Sequence, residues 1–317
     1  MSNKEEYRYF CEIEKKIPLF SQAWWLDLVC GNEWDVCVVK KGREIVASMP
    51  YVKKKSYGLT LLTQPRLTQI LGPWTKPSTA KYSKALGQQK NMLIDLVEQL
   101  PKYDYFSQNW HYSQKNWLPF YWKGFEQTTR YTYVVDDLTN IDSVWSNFQE
   151  NIRREIRKAE NLKLTVKTDL PISDFISLNS KTFSRQDMSV PYSESFIKKI
   201  AETALARQQC KWFIAQDESG LNHAGVFIVW DENSAYYLMG GGDPHLRKSG
   251  ATSLCMWEAI KFSSSVTQKF DFEGSMIQPI ERFFRGFGAV QKQYYTISKT
   301  NSKMIKVVLF LRAIFKR

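Results

Sequence analysis

The feature that most limits how this chain can fold is an internal echo. FYWKGFEQTTRYTYVV (120–135) is answered by RFFRGFGAVQKQYYTI (282–297) at a constant offset of 162 positions. Within it, Tyr121-Trp122-Lys123-Gly124-Phe125 aligns with Phe283-Phe284-Arg285-Gly286-Phe287. Upstream, Tyr103-Asp104-Tyr105 is answered by Phe270-Asp271-Phe272. Each copy reads as a helix, a strand with a central Asp, an aromatic-basic-Gly-Phe segment and a second strand. Two matches in the same order, each preceded by a helix, point to a duplicated domain.

Length and composition agree with that reading. The 317 residues suffice for two ordinary domains, and 43% hydrophobic with 15% aromatic residues provide for packed cores rather than disorder. A formal charge of +12 favours polyanionic partners: nucleic acid, phosphate-bearing small molecules or an anionic membrane face. Five scattered cysteines (11, 30, 37, 210, 255) without a C-x-x-C pair, and three distant histidines (111, 223, 245), signal neither a disulfide framework nor a metal site. The opening MSNKEEYRYFCEIEKK lacks the apolar core of a secretory signal, and no apolar run approaches the roughly 20 residues that span a bilayer. A reduced, cytoplasmic setting is the expectation.

Alternating patterns predict early strands at 35–40 and 44–52, and helical spacing covers 90–100 up to Pro101. In the second half, helical spacing at Ile152, Ile156 and Ala159 precedes an alternating LKLTVK. Strands fit KWFIAQD, HAGVFIVW and SAYYLMG, and a Gly-rich turn then leads into the helix ATSLCMWEAIKFSS. The boundary is expected near Asp136–Thr139, giving an N-terminal domain of residues 1–137 and a C-terminal one of 138–317. Both read as α/β (α+β), each a mixed sheet with flanking helices.

RREIRKAEN (153–161), AYYLMGGGDPHLRKSGATSLCMWEAIK (235–261) and FDFEGS…IERFFRGFGA (270–289) resemble the FemAB and BioF2-like acyltransferases, which have tandem GNAT-like domains. WWLDL, WDVCVV and IVASMPYV resemble the first domain of such proteins. The resemblance implies acyl transfer. Relatives include transferases that move an amino acid from aminoacyl-tRNA to a peptidoglycan precursor, and others that use acyl-CoA on amines or hydroxyls. It also implies a phosphate loop at Arg247-Lys-Ser-Gly250-Ala251, with Thr252 where Gly or Ala is usual. Backbone N–H groups at the following helix start could cradle a pyrophosphate there. The glycines serve equally well in a plain strand-to-helix turn.

The stretch FDFEGS carries the acids. In a strand, Asp271 and Glu273 face one way and Phe270 and Phe272 the other. Ligands gather beyond the carboxyl ends of parallel strands, which places Glu273-Gly274-Ser275 at a site. Asp271 has the counterpart Asp104 in the first copy, which suits a structural acid. Glu273 is answered by Phe106, so Glu273 is the candidate base for an attacking amine, with Asp271 beside it. The tyrosine that many GNAT enzymes carry in the next helix is replaced here by IERFFRGF.

Candidate substrate-binding residues are Arg153 and Arg157, which share a helix face, together with Arg185, Tyr237 and Ser275. The arginines read as a phosphate clamp for tRNA or a nucleotide-linked precursor, or as a solvated face offset by Glu150 and Glu155. KMIKVVLFLRAIFKR (303–317) is too short to span a bilayer and reads as a helix docked on the core or lying at a membrane interface. The expectation is a transferase with no permanently bound cofactor and no metal, drawing on acyl-CoA or aminoacyl-tRNA and acting on a cell-envelope or glycan precursor. The alternative is a non-catalytic basic module on the same scaffold, binding RNA or an anionic surface.

Overall fold

A computed structural model describes residues 2–184 and 188–315. The chain divides into two compact units, Met1–Arg130 with Gln293–Arg317, and Tyr131–Lys292. In order, the elements are α1 (Asn3–Ile13), α2 (Ala23–Cys30), β1 (Trp34–Lys41), β2 (Glu44–Ser56), β3 (Leu59–Thr63), β4 (Trp74–Thr75), α3 (Tyr82–Glu98), β5 (Tyr105–Asn109), α4 (Leu118–Trp122) and β6 (Glu126–Val135). Then follow α5 (Ile141–Ser146), α6 (Glu150–Asn161), β7 (Thr165–Lys167), α7 (Ile172–Ser184), α8 (Glu194–Ala206), β8 (Cys210–Gln216), β9 (Asn222–Trp230), β10 (Ala235–Gly242), α9 (Ala251–Ser263), β11 (Phe270–Asp271), α10 (Gln278–Arg285), β12 (Val290–Thr300) and α11 (Lys303–Phe315).

In the first unit the strands run β1-β2-β3-β5-β12. β1, β2 and β3 form antiparallel hairpins, and the second turn holds Tyr57 and Gly58 both at positive φ, +48° and +75°. Two left-handed residues in succession match the right-handed twist of the flanking strands. β3 and β5 are parallel, with α3 as the crossover helix between them, and β5 pairs antiparallel with β12. Leu62, Leu93, Leu96, Phe106, Trp110, Phe120 and Ile297 fill one core, while Tyr7, Trp34, Val36 and Val52 belong to another.

The second unit orders its strands β6-β11-β10-β9-β8-β7. β10 and β11 are parallel across the crossover helix α9, and β11 pairs antiparallel with β6. Phe270, Phe272, Phe284 and Phe287 join Ile152, Ile156, Val226, Cys255 and Trp257 in one core, as the alternation of FDF requires. α9 is apolar nearly all round because strands and α6 both cover it.

Strand pairing sets where the compact units divide. Val134 and Val135 of β6 pair with β11, so the second unit begins at Tyr131. Residues 296–300 of β12 pair with β5, so the chain end returns to the first unit.

Candidate active site

The run FDFEGS forms a strand of two residues, β11, and then turns sharply. Asp271 is buried, and its Oδ1 accepts a hydrogen bond from the Thr132 hydroxyl (2.5 Å) and one from the Glu273 backbone N–H (2.8 Å). The second bond is local, from carboxylate to the amide two residues on, and stabilises a turn. Glu273 and Gly274 follow at φ +58° and +65°. Gly274 lies so close to β6 that a Cβ there would stand 2.1 Å from the Tyr131 carbonyl oxygen. A non-glycine residue held left-handed at a strand end is a strained position, of the kind that collects at functional sites. Glu273 thus lies just beyond the strand, and Asp271 fixes its backbone.

The Glu273 side chain is the outstanding polar feature. Its Oε1 is buried and has no hydrogen-bond partner. Burial first, and Asp271 second, push its carboxyl well above the usual carboxylate range. Burial likewise raises Asp271 to about 6, against the opposing hydrogen bonds from Thr132 and Glu273. A half-buried carboxyl with one oxygen buried and unpartnered costs stability, and a cationic or hydrogen-bonding ligand would complete it. A raised pKa also makes its ionised form a stronger base.

Beyond the Tyr236–Asp271 rung, β10 continues to Gly242 while β11 has ended. The glycines at the end of β10 allow helix α7 to approach: a Cβ on Gly241 would stand 2.3 Å from the Asn179 backbone nitrogen. Asn179 is buried, donates to the Gly240 carbonyl (2.7 Å) and accepts from the Tyr192 hydroxyl (3.0 Å). The Gly-Gly-Gly run therefore serves packing within the strand.

Arg247 is exposed in a single 3-10 turn, whereas Gly250 and Ala251 are buried at the start of α9. Gly250 is left-handed (φ +78°), and a Cβ there would meet the Glu155 carbonyl of α6 at 2.0 Å. No side chain caps α9, and Thr252 points into an exposed position on its first turn. Its first amides, with the positive end of the helix dipole, can take an anion.

Arg153 and Arg157 both pair with Glu150, at 3.0 and 3.1 Å, although Arg153 Nε is buried without a partner. Tyr237 packs edge-on against Phe284 of α10 (5.8 Å between centroids), and burial, then Tyr192 and Cys255, raise its phenol. The Ser275 hydroxyl accepts from the Ile277 amide (3.0 Å) and shapes the loop into α10. Arg185 lies outside the described residues.

Two features were not signalled by sequence. Thr132 reaches Asp271 across 139 positions. Tyr133, opposite Phe272, donates to Glu281 (2.7 Å) and accepts from Gln291 (2.7 Å), while Arg285 bonds the same Glu281 oxygen (2.8 Å). A phenol is thus brought to the phenylalanine-rich helix α10 from β6. The alternation in RYTYVV marked Tyr133 only as one side of a strand.

Residues 146–274 match the family model described as an acetyltransferase (GNAT) domain, a span that closes one residue after Glu273. This chain carries a GNAT-type transferase domain. A search of curated protein sequences finds no match. Among solved structures, FemX is similar over 93% of this chain and 96% of its own, with 12% identity and a TM-score of 0.68. L-PGS from Bacillus licheniformis is similar over 97% and 96%, with 12% identity and a TM-score of 0.57. A tandem GNAT protein from the clavulanic acid biosynthesis pathway is similar over 94% of each chain, with 8% identity and a TM-score of 0.53. These likenesses are of fold, and they extend over both units.

Proposed function

We propose that this chain is an acyl- or aminoacyl-transferase acting on an amine (or hydroxyl) of a cell-envelope or glycan precursor, with acyl-CoA or aminoacyl-tRNA as donor. The carrying observation is the buried, unpartnered Glu273 Oε1 at the end of β11. An acceptor amine arrives as an ammonium, which supplies both the missing hydrogen bond and the missing charge. The ionised Glu273 takes one proton from it, and the neutral nitrogen attacks the donor carbonyl. A C–N bond forms, and the donor's C–S or C–O bond breaks. The leaving thiolate or alkoxide takes its proton from solvent or from the substrate. The uncapped start of α9, with Arg247 beside it, holds the donor's phosphates. Holding donor and acceptor together without water between them provides a large part of the rate. The envelope acceptor is supported by the FemAB resemblance and by the fold likeness to FemX.

Calorimetric titration of the full chain with acetyl-CoA, with free CoA and with charged tRNA tests the donor. Saturable one-site binding of acetyl-CoA assigns a CoA donor, and binding of charged tRNA alone assigns the aminoacyl route. Binding of neither, or binding of any RNA that vanishes steeply with salt, would leave a basic module in place of a transferase.

A further inference from the structure

We propose that the first unit seats on an anionic lipid surface, with α11 lying in the interface and the β2–β3 hairpin beside it touching the headgroups. Although α11 is apolar, it is not packed into the core. Val307, Val308, Leu309, Phe310 and Leu311 are all exposed, Phe310 to 66%, and Met304 is exposed as well. Five consecutive exposed apolar residues go round more than one turn, since each advances about 100°. A helix in the interface buries its lower apolar face among the acyl chains while its flanking cations stay with the headgroups.

The charge of this segment of sequence has one sign. Residues 303–317 contain Lys303, Lys306, Arg312, Lys316 and Arg317, and no acid. The second observation is independent of α11. The ladder sets Thr300, Tyr105, Leu61 and Lys54 on one rung of the unit's sheet, so α11 leaves the sheet at the end where β2 turns into β3. The last residues of β2 before that turn include Lys53, Lys54 and Lys55, and the tip residue Tyr57 is 98% exposed. Lys102, exposed on the loop before β5, is at the same end. A basic hairpin with a projecting tyrosine suits the headgroup layer, where aromatic rings and cations gather. The geometry limits the mode: the 13 residues of α11 are about 20 Å long, short of the roughly 30 Å hydrocarbon core, and no helix among the described residues is long and apolar enough to cross it. The helix therefore lies along the surface.

The test is sedimentation of the full chain with vesicles of phosphatidylglycerol and phosphatidylcholine in equal parts, and with phosphatidylcholine alone. Binding is expected with the anionic vesicles. It should weaken by about tenfold or more in Val307→Glu/Phe310→Glu, and the preference for anionic lipid should shrink in Lys53→Gln/Lys54→Gln/Lys55→Gln. Val307, Phe310, Lys53 and Lys55 are exposed and Lys54 is half-buried, so the folds should be unaffected, which circular dichroism checks; a chain ending at Ser302 serves as the second variant for α11. Absence of vesicle binding, or binding that neither variant changes, would overturn the proposal. So would a wild-type dimer that Val307→Glu/Phe310→Glu converts to monomer without lipid, since the helix would then be covered by a second copy. No turnover is measured, so the result is separate from the fate of the transferase reading.

Discussion

β5 and β11 hold the same place in their units, and they end differently. Each runs parallel to a neighbour reached through one helix, and antiparallel to a strand on its other side. Each copy has an aspartate at the matching position, Asp104 just before β5 and Asp271 in β11, and each carboxylate accepts a backbone amide, a cross-strand one for Asp104 and a local turn one for Asp271. Asp104 accepts from the Thr60 amide (2.8 Å), and Asp271 from the Glu273 amide (2.8 Å). Two residues on, the copies part. Phe106 is fully buried in the first core, and β5 continues to Asn109. At the matching place Glu273 is left-handed, the ladder has stopped, and a carboxyl oxygen is buried without a partner. The same scaffold thus supports a closed strand in one unit and an opened strand end in the other. A single apolar-to-acid difference, with a glycine after it, accompanies the change.

The sharpest way to break this comparison is to alter the two matched positions. Glu273→Gln keeps the size and removes the base, so turnover should fall about 10²–10⁴-fold, measured as kcat with donor and acceptor saturating. The same variant should melt higher at pH 8, because the cost of a buried carboxylate disappears. Unchanged turnover would end the catalytic assignment. Phe106→Ala should instead cost about 3–5 kcal/mol in denaturant unfolding, as a large core ring is lost. A Phe106 variant that destabilised little but abolished turnover would reverse the roles given to the two strand ends.

The comparison also shows what local sequence carries. The repeat, the mixed α/β character and the burial of Phe270 and Phe272 were legible, because alternation and aromatic spacing are local. So was the contrast between Glu273 and Phe106, once the copies were aligned. The exchange of last strands was not, since the pairs Val134–Asp271 and Thr300–Tyr105 join residues far apart in the chain. The strand end at Glu273-Gly274-Ser275 was legible, but alternation carried the strand through Glu273, whereas β11 stops at Asp271 and Glu273 is left-handed, because Thr132 and the Tyr131 backbone set its end. Gly250 reads both as part of a phosphate loop and as a turn glycine, because close approach to a phosphate and close approach to the Glu155 carbonyl ask for the same residue. Arg153 and Arg157 share a face, as their spacing requires, and on it they meet Glu150.

A pH profile sharpens the role of Asp271. Its folded pKa, about 6, lies above the ordinary carboxyl value of 3.8, so between those values the native state binds more protons than the unfolded one. Stability from this group is therefore full below about pH 4, falls as pH rises to about 6, and is level above that. The drop is on the order of 2–3 kcal/mol, from about 1.4 kcal/mol per pKa unit. Asp271→Asn still accepts the Thr132 and Glu273 hydrogen bonds through its amide oxygen. It should flatten that part of the profile in urea unfolding from pH 4 to 6. A profile unchanged by Asp271→Asn would place the titration on another group.

The smallest effects come from the glycines at the two turns. Gly58, at the β2–β3 tip, is left-handed at φ +75°, and a methyl there would have nothing within 4 Å, so Gly58→Ala meets backbone strain alone, about 1 kcal/mol. Gly274 has nearly the same φ, +65°, but its methyl would lie 2.1 Å from the Tyr131 carbonyl oxygen and 2.6 Å from the Thr132 Cα. Gly274→Ala must therefore push β11 away from β6 as well, and should cost about 1–3 kcal/mol by the same measurement. The push falls on Thr132, which holds Asp271, which in turn holds Glu273. Gly274→Ala should then lower kcat at temperatures where the protein is still folded, while Gly58→Ala leaves kcat untouched. Equal stability losses with equal kcat would mean that the turn at Glu273 tolerates movement, and that its strained backbone is not what positions the carboxyl.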